Sequence, residues 1–296
     1  MATQCNRHNS HHHYHASAFG VSGEITRPVA HSIPTQAATV LSGAGGHGFH
    51  RVENFQVHGI VSFRAAYVEV GGSYDECHHI HTTFASSVIE GFNVADVVTA
   101  DRIVSRLAIY GAGEGDPSGE SSFDITGSYF DNLRIAGHKV DINLATHVFH
   151  DHDTYGKLQK VCGGKQPHEW FAWSKLAALK ERELEELESQ YHALDGMSER
   201  IKHWKSAKGK DNGDHMYWCS PASHLDLKEY AGAHSELKGF GSIICIPKFG
   251  VVHLAELMVQ KHTRSLTMIR VQMCSSGQGG IDGGGTSGNG APPHPP

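Results

Sequence analysis

The segment Cys77-His-His-Ile-His81 carries three side chains that bind transition metals, at alternate positions. If the segment is extended, Cys77, His79 and His81 share one face, because side chains on a strand alternate with a period of two. A thiolate with imidazoles suits zinc or copper. The spacing therefore predicts part of a metal site.

A second segment, His147-Val-Phe-His-Asp-His-Asp153, has the same character. His150 and His152 share a face if it is extended, and His147 shares one with His150 or Asp151 if it is helical. A structural zinc site needs four ligands, and a catalytic one needs three with an open position. Neither segment alone meets that count, so a site requires both to converge. The competing interpretation is two exposed polar loops beside strand ends. The zinc hypothesis rests on Cys77, His79, His81, His147, His150 and His152.

Other catalytic patterns are missing from the sequence. It contains no Gly-x-Ser-x-Gly, no phosphate-binding Gly-x-x-x-x-Gly-Lys-Ser/Thr and no His-Glu-x-x-His. The acidic loop Gly111–Pro117 lacks the ligand spacing of an EF-hand. Glu90, Asp96 and Asp101 flank strand-like segments, where they act either as acids or bases or as solvated turn residues. The sequence thus favours a protein that is not an enzyme, without deciding the point.

Charge and hydropathy limit the kinds of partner and the cellular location that we expect. The 296 residues carry a formal charge of −6 with no basic block, which argues against nucleic-acid binding. No apolar run reaches the roughly 18 residues that span a bilayer, and the N-terminus lacks the apolar core of a signal peptide. The expected location is cytoplasmic by default, with non-classical export open. The six cysteines form no Cys-x-x-Cys pair, so their redox state stays open.

Histidine is the unusual component, with 25 residues. Its side chain titrates near pH ~6.5, so the charge of the chain reverses over a narrow pH range. We expect self-association to be favoured near the sequence pI of 6.5, where repulsion between copies is weakest.

Recurring β-branched and aromatic runs, separated by glycine turns, predict a mainly β protein. The fold expected is one antiparallel β-sandwich or barrel-like domain, with a short solenoid as the alternative. The predicted strands include 59–70, 83–89, 97–110, 139–144, 241–246, 251–259 and 265–273.

The segment 169–204 follows a helical period instead. Apolar residues at three- and four-residue spacing between Trp173 and Leu194 form a narrow seam, and glutamates cover the other side. Asp195-Gly196 is expected to end this helix. The seam covers an open edge or end of the sheet, or it binds a protein partner or a second copy of the chain.

The two ends of the chain differ from this core. Residues 1–15 are polar and histidine-rich, and residues 275–296 are mostly Gly, Ser and Pro. Neither composition buries enough apolar surface to become ordered. We therefore predict a β-domain over residues 16–274, with the helical insertion 169–204, between two disordered ends.

Several short segments occur in an order known from one family. They are Ala16–Ile25, Ala85–Val94, Val98–Ile103, Phe130–Val140 and Gly250–Glu256. Over residues 16–144 and 239–273 the chain resembles the bacterial choice-of-anchor P family. That resemblance implies an all-β fold and a non-catalytic surface or structural role, and it supplies no catalytic residues.

These observations favour a non-enzymatic β-rich structural or binding protein, surface-associated or self-assembling. The alternative is a metal-binding protein or a metal-dependent enzyme that uses the clustered histidines.

Overall fold

Two antiparallel sheets pack face to face in the computed structural model, which describes residues 12–111, 119–162, 169–207, 216–225, 236–274 and 278–289. Neither sheet closes into a barrel, and one hydrophobic core fills the space between them. The predicted sandwich is therefore confirmed. The barrel and the solenoid are not what the chain forms.

Sheet A contains nine strands. Its strands are β1 (His15–Arg27), β2 (His31–Gln36), β3 (Thr39–Val40), β12 (Tyr217–Cys219), β13 (Lys238–Phe240), β14 (Ile243–Ile246), β15 (Gly250–Val259), β16 (Arg264–Cys274) and β17 (Gln278–Asn289). The order across the sheet is β13-β14-β15-β16-β17-β1-β2, with β12 paired to β15 and β3 to β1.

Sheet B contains eight strands. They are β4 (Gly46–Val57), β5 (Val61–Asp75), β6 (Ile80–Val94), β7 (Val98–Tyr110), β8 (Ser122–Asp124), β9 (Tyr129–Asp131), β10 (Arg134–Ile135) and β11 (His138–Lys139). The order is β11-β10-β7-β6-β5-β4, and β8 and β9 also pair with β7. The strand predicted over 139–144 is wrong beyond Lys139, where β11 ends.

The strands of sheet B change face partway along. In β5, Phe63 points into the core before Arg64, whereas Ala66 and Val68 do so after it. The change coincides with positive φ angles at Asn54 of β4 and Gly91 of β6, of 53° and 65°. Such residues interrupt the regular pleat, which explains why the strands alternate only partly in sequence.

Strand β17 corrects the prediction of a disordered C-terminal end. Gln278–Asn289 lies between β1 and β16, inside sheet A. Its glycines leave room for neighbouring side chains: a Cβ on Gly285 would lie 2.0 Å from the Phe19 ring, and one on Gly288 would lie 2.9 Å from Ile109. The glycine composition therefore reflects close packing here. Residues 275–277 and 290–296 lie outside the described residues.

The prediction that residues 1–15 are disordered is wrong for residues 12–15. His15 starts β1, and the backbone N–H of Tyr14 donates to the Gly43 carbonyl at 3.1 Å. Tyr14 is buried in the core cluster because its ring packs beside Leu41 and Gly72. Residues 1–11 lie outside the described residues.

The insertion is helical as predicted but broken, and helices begin before residue 169. The helices are α1 (Val148–Asp151), α2 (Tyr155–Cys162), α3 (Ser174–Ala177), α4 (Glu181–Gln190) and α5 (Met197–Ala207), with a 3₁₀ turn at His192–Leu194. Lys180 and Tyr191 adopt extended backbone angles that separate these pieces. Gly196 stands before α5 with a φ of 76°. No helix among the described residues is long and apolar enough to cross a bilayer.

Arg264 connects the two sheets from inside. It starts β16 and is fully buried, and its Nη2 donates to the Ser121 carbonyl at 3.0 Å, just before β8. Its Nη1 donates to the carbonyls of Gln260 and Lys261 in the β15–β16 turn. Burial lowers its pKa to about 10, with Glu120 opposing the shift. The guanidinium therefore links the β15–β16 turn of sheet A to the residue that precedes β8 of sheet B.

Candidate functional site

The outer face of sheet A is covered at one end by the helical segment. Ile243, Cys245 and Val251 are almost fully buried there and form one cluster with residues of that segment. The segment contributes Leu176, Leu184, Leu187, Tyr191, Leu194, Met197 and Ile201. The apolar seam predicted between Trp173 and Leu194 thus packs on the sheet of its own chain. Of the two roles predicted for the seam, covering the sheet is the one that the packing supports.

A buried polar network lies on this same face. The Arg270 guanidinium contacts Glu256 at 3.0 Å and Asp282 at 2.8 Å. His253 is 5% exposed and lies 3.0 Å from the Gln272 side-chain oxygen through its Nε2. Burial lowers the pKa of His253, while the nearby Glu256 opposes that shift. Glu256 is also only 5% exposed, so both side chains of this pair lie away from solvent.

Within the described residues, the outer face of sheet B is accessible across five strands. One row of directly opposed residues crosses β4, β5, β6, β7 and β9, and consists of Arg51, Tyr67, Val88, Val104 and Tyr129. The adjacent row consists of Phe49, Glu69, Ser86 and Arg106. Phe49 is 58% exposed and Tyr129 40% exposed, whereas Val104 is buried beneath its neighbours. The two rows therefore present aromatic rings and charges over an apolar floor. We call these nine residues the open-face rows.

Two adjoining depressions follow these rows. The first has a volume of about 230 Å³, and the second, toward Phe84 and Tyr110, about 350 Å³. Glu69, Ser86 and Arg106 line both. The polar side chains of one row therefore sit where the two depressions meet.

Ion pairs hold most of the charges around the rows. Glu90 accepts from Arg102 at 2.7 Å and from Arg64 at 3.1 Å. The hydrogen bond with Arg102, then that with Arg64, lowers the pKa of Glu90 despite its partial burial. Glu69 pairs with His47 at 2.7 Å. A hydrogen bond with Tyr129, followed by that with Glu90, raises the pKa of Arg102.

Arg106 differs from these arginines. Its side chain is exposed, and no carboxylate of the described residues forms an ion pair with it. Its backbone is fixed by Ser128, whose hydroxyl accepts from the Arg106 N–H at 2.9 Å. An exposed guanidinium without an ion pair among the described residues can donate hydrogen bonds to a hydroxyl or carboxylate of a ligand.

The predicted metal ligands of the first segment do not lie together on one strand, although the Tyr74 ring packs near both His79 and His81. Cys77 and His79 lie in the β5–β6 turn, and only His81 lies on β6. His79 has a φ of 54° and contacts the Tyr74 hydroxyl at 2.8 Å. The extended geometry assumed for Cys77, His79 and His81 is therefore wrong, because the chain reverses direction there.

The second segment takes the helical alternative. His147 precedes the short helix α1 and His152 follows it. His150 Nε2 lies 3.0 Å from the Thr126 hydroxyl and 3.7 Å from Asp124. This pairing holds α1 against β8.

Across the part of the chain that the structure describes, no three His, Cys, Asp or Glu side chains are grouped so that they could hold a metal ion. The convergence of His147, His150 and His152 with the first segment is therefore not found. The carboxylates that flank strands are engaged locally: Asp96 accepts from Asn93 at 2.6 Å and Asp101 from Asn132 at 3.0 Å. Most of the acidic loop Gly111–Pro117 lies outside the described residues.

Sequence reasoning missed a different histidine cluster. His12 stacks on His81 with ring centroids 4.1 Å apart, and the Tyr14 hydroxyl lies 2.8 Å from His81 Nδ1. Burial, with His81 and His13 nearby, lowers the pKa of His12 to about 4. Burial lowers the pKa of His81 as well. The histidine-rich beginning of the chain was the available signal, but its pairing with β6 depends on the fold.

Comparisons with known proteins give one match. Residues 12–260 match the family described as Domain of unknown function (DUF8256). No curated protein and no solved structure matches the chain. Since the matched region covers most of both sheets and the whole helical segment, the chain belongs to the DUF8256 family.

Proposed function

We propose that this protein is a non-catalytic binding protein that takes an oligosaccharide on the open face of sheet B. One observation carries the proposal: the open-face rows bring exposed aromatic rings and unburied polar groups together over two depressions. Binding sites combine an apolar lining with a few polar groups that fix orientation.

A sugar ring matches this mixture. One face of a pyranose is made of C–H groups, which pack on aromatic rings such as Phe49 and Tyr129, and its rim carries hydroxyls. Glu69 accepts hydrogen bonds, Arg106 donates them and Ser86 does both. The rows cross five strands, so they accommodate a chain of several sugar units rather than one.

Two further observations support a binding role over the alternatives. The resemblance to the choice-of-anchor P family points to a non-catalytic protein at a surface. The metal-dependent alternative needs at least three ligands in one place, and the described residues hold no such group. With the seam packed on sheet A, a protein partner of the helical segment would meet its charged outer side instead.

Isothermal titration with soluble hexasaccharides tests the proposal. The set consists of cellohexaose, xylohexaose, mannohexaose, chitohexaose and hexagalacturonate. We expect at least one to bind, and Phe49→Ala and Tyr129→Ala each to weaken that binding about tenfold, which corresponds to about 1.4 kcal/mol.

Tyr74→Ala is the matched control, because Tyr74 is an aromatic residue of similar exposure, 44%, outside the rows. It should leave the affinity unchanged. Binding of none of the five sugars, or equal weakening by Tyr74→Ala, would contradict the proposal.

A further inference from the structure

Strand β4 is a long edge strand. It spans Gly46–Val57 and pairs along one side with β5, while no other described strand pairs with its free side. An unpaired edge presents a row of backbone N–H and C=O groups that can accept another strand. The side chains of β4 include no proline, and most are exposed.

The straight part of this strand ends at a defined point. Pairing with β5 is regular from Gly46 to Glu53 and is interrupted at Asn54, whose φ is 53°. A second strand that extends the sheet without a kink therefore pairs with residues before Asn54.

Symmetry restricts how a second copy can pair there. A two-fold axis normal to the sheet keeps the outer face outermost, so each outward residue must stand opposite another outward residue. His47, Phe49, Arg51 and Glu53 point outward. An axis at Arg51 would place Arg51 directly opposite Arg51 of the second copy, so two like charges would meet. An axis at Phe49 would leave Glu53 without an opposing residue in β4 of the second copy.

An axis at His50 fits the sequence of the strand. It opposes His47 to Glu53 of the second copy and Phe49 to Arg51 of the second copy, and each pair occurs twice. Within one copy His47 contacts Glu69, and Arg51 contacts Glu53. The dimer would exchange these contacts for an ionic or hydrogen-bonding pair of His47 with Glu53 and a cation–π pair of Arg51 with Phe49 across the interface. Residues 47–53 are all used, and the pairing stops at the kink.

The inner side of the edge is complementary in shape. The same register opposes Gly48 to Val52 of the second copy. Val40, 68% exposed, lies beside Gly48, because its carbonyl is 3.8 Å from the position of a Cβ there. Pairing would therefore cover Val40 with an apolar side chain.

From this self-complementary edge we propose that the protein forms a two-fold dimer in which the β4 strands of two copies pair antiparallel about His50, joining the two B sheets into one. Phe49 lies both at this edge and in the open-face rows. The dimer would thus present two copies of the rows on one continuous sheet. The pairing needs no ligand, so the dimer can be tested separately from sugar binding.

Sedimentation equilibrium and directed cross-linking test the dimer on the full chain without sugar. We expect a mass of twice 32.2 kDa at high protein concentration. In a background with Cys5 and Cys77 replaced by serine, His50→Cys should give a disulfide-linked dimer under mild oxidation. Directly opposed residues in an antiparallel pair lie about 4.5–5.5 Å apart, within disulfide reach.

Gln56→Cys is the control, because Gln56 is exposed on the same strand but lies beyond the kink. It should cross-link at least tenfold more slowly. A monomer at 200 µM, or a dimer that His50→Cys cross-links no faster than Gln56→Cys, would overturn the proposal.

Discussion

At the buried residue His253, burial and charge act on the pKa in opposite directions. Burial and Arg270 lower its pKa, while Glu256, Gln272 and Asp282 oppose them, and the lowering prevails. In the unfolded chain this histidine titrates near pH ~6.5. Below that pH the unfolded state takes up a proton that the folded state resists, so acid lowers stability. His12 and His81 act in the same direction.

Replacing this residue should reduce the acid sensitivity. We expect His253→Gln to lose less stability than the wild type between pH 7 and pH 5, with a smaller downward shift of the urea midpoint. His138→Gln, a change at an exposed position of the short strand β11, is the control and should keep the wild-type slope. Identical slopes for the wild type and His253→Gln would show that this imidazole is not held neutral by the fold.

At the scale of single residues, the sequence predicted part of this arrangement. His253 lies within the strand predicted over 251–259, and that strand is present as β15. The partners of His253, Arg270 and Asp282, come from β16 and β17, and the cross-strand register brings them together. That register cannot be deduced from local spacing.

Among the elements, β17 lies in the middle of sheet A, and we expect its removal to disrupt folding. Removing residues 275–296 would leave the facing edges of β1 and β16 unpaired in the middle of sheet A. We expect that truncated chain to lose cooperative thermal unfolding, as measured by circular dichroism. A chain that lacks only residues 290–296 keeps β17 and should melt like the wild type. A cooperative transition after the longer truncation would show that β17 is dispensable.

The elements differ in how far sequence could predict them. Strands β5, β6, β7, β15 and β16 are rich in β-branched residues, and they were predicted. Strand β17 was missed because its glycines contribute little apolar surface of their own, and neighbouring strands supply the side chains.

The continuous helical period between Trp173 and Leu194 also hid two breaks, at Lys180 and Tyr191. A straight helix through residues 174–201 would be about 40 Å long at 1.5 Å per residue. Broken pieces instead bring Leu176 and Ile201 into one cluster on β14 and β15.

On the scale of the whole molecule, the outer faces of the two sheets differ. The helical segment covers one end of the outer face of sheet A, whereas on sheet B the open-face rows line surface depressions in the part of the chain that the structure describes. The sequence pointed to histidine groups as the candidate site, because clustered ligands are visible locally. The open-face rows were invisible in it: Arg51 and Tyr129 share a row only because four successive strand pairings align them.

Hydroxyl-radical footprinting, with and without a saturating amount of the tightest-binding hexasaccharide, tests the open face most directly. We expect bound sugar to protect Phe49, Tyr67 and Tyr129 from oxidation. Tyr74 and Met216, exposed outside the rows, should react at the same rate in both samples. Protection at Tyr74 or Met216, with none in the open-face rows, would contradict a binding site on sheet B.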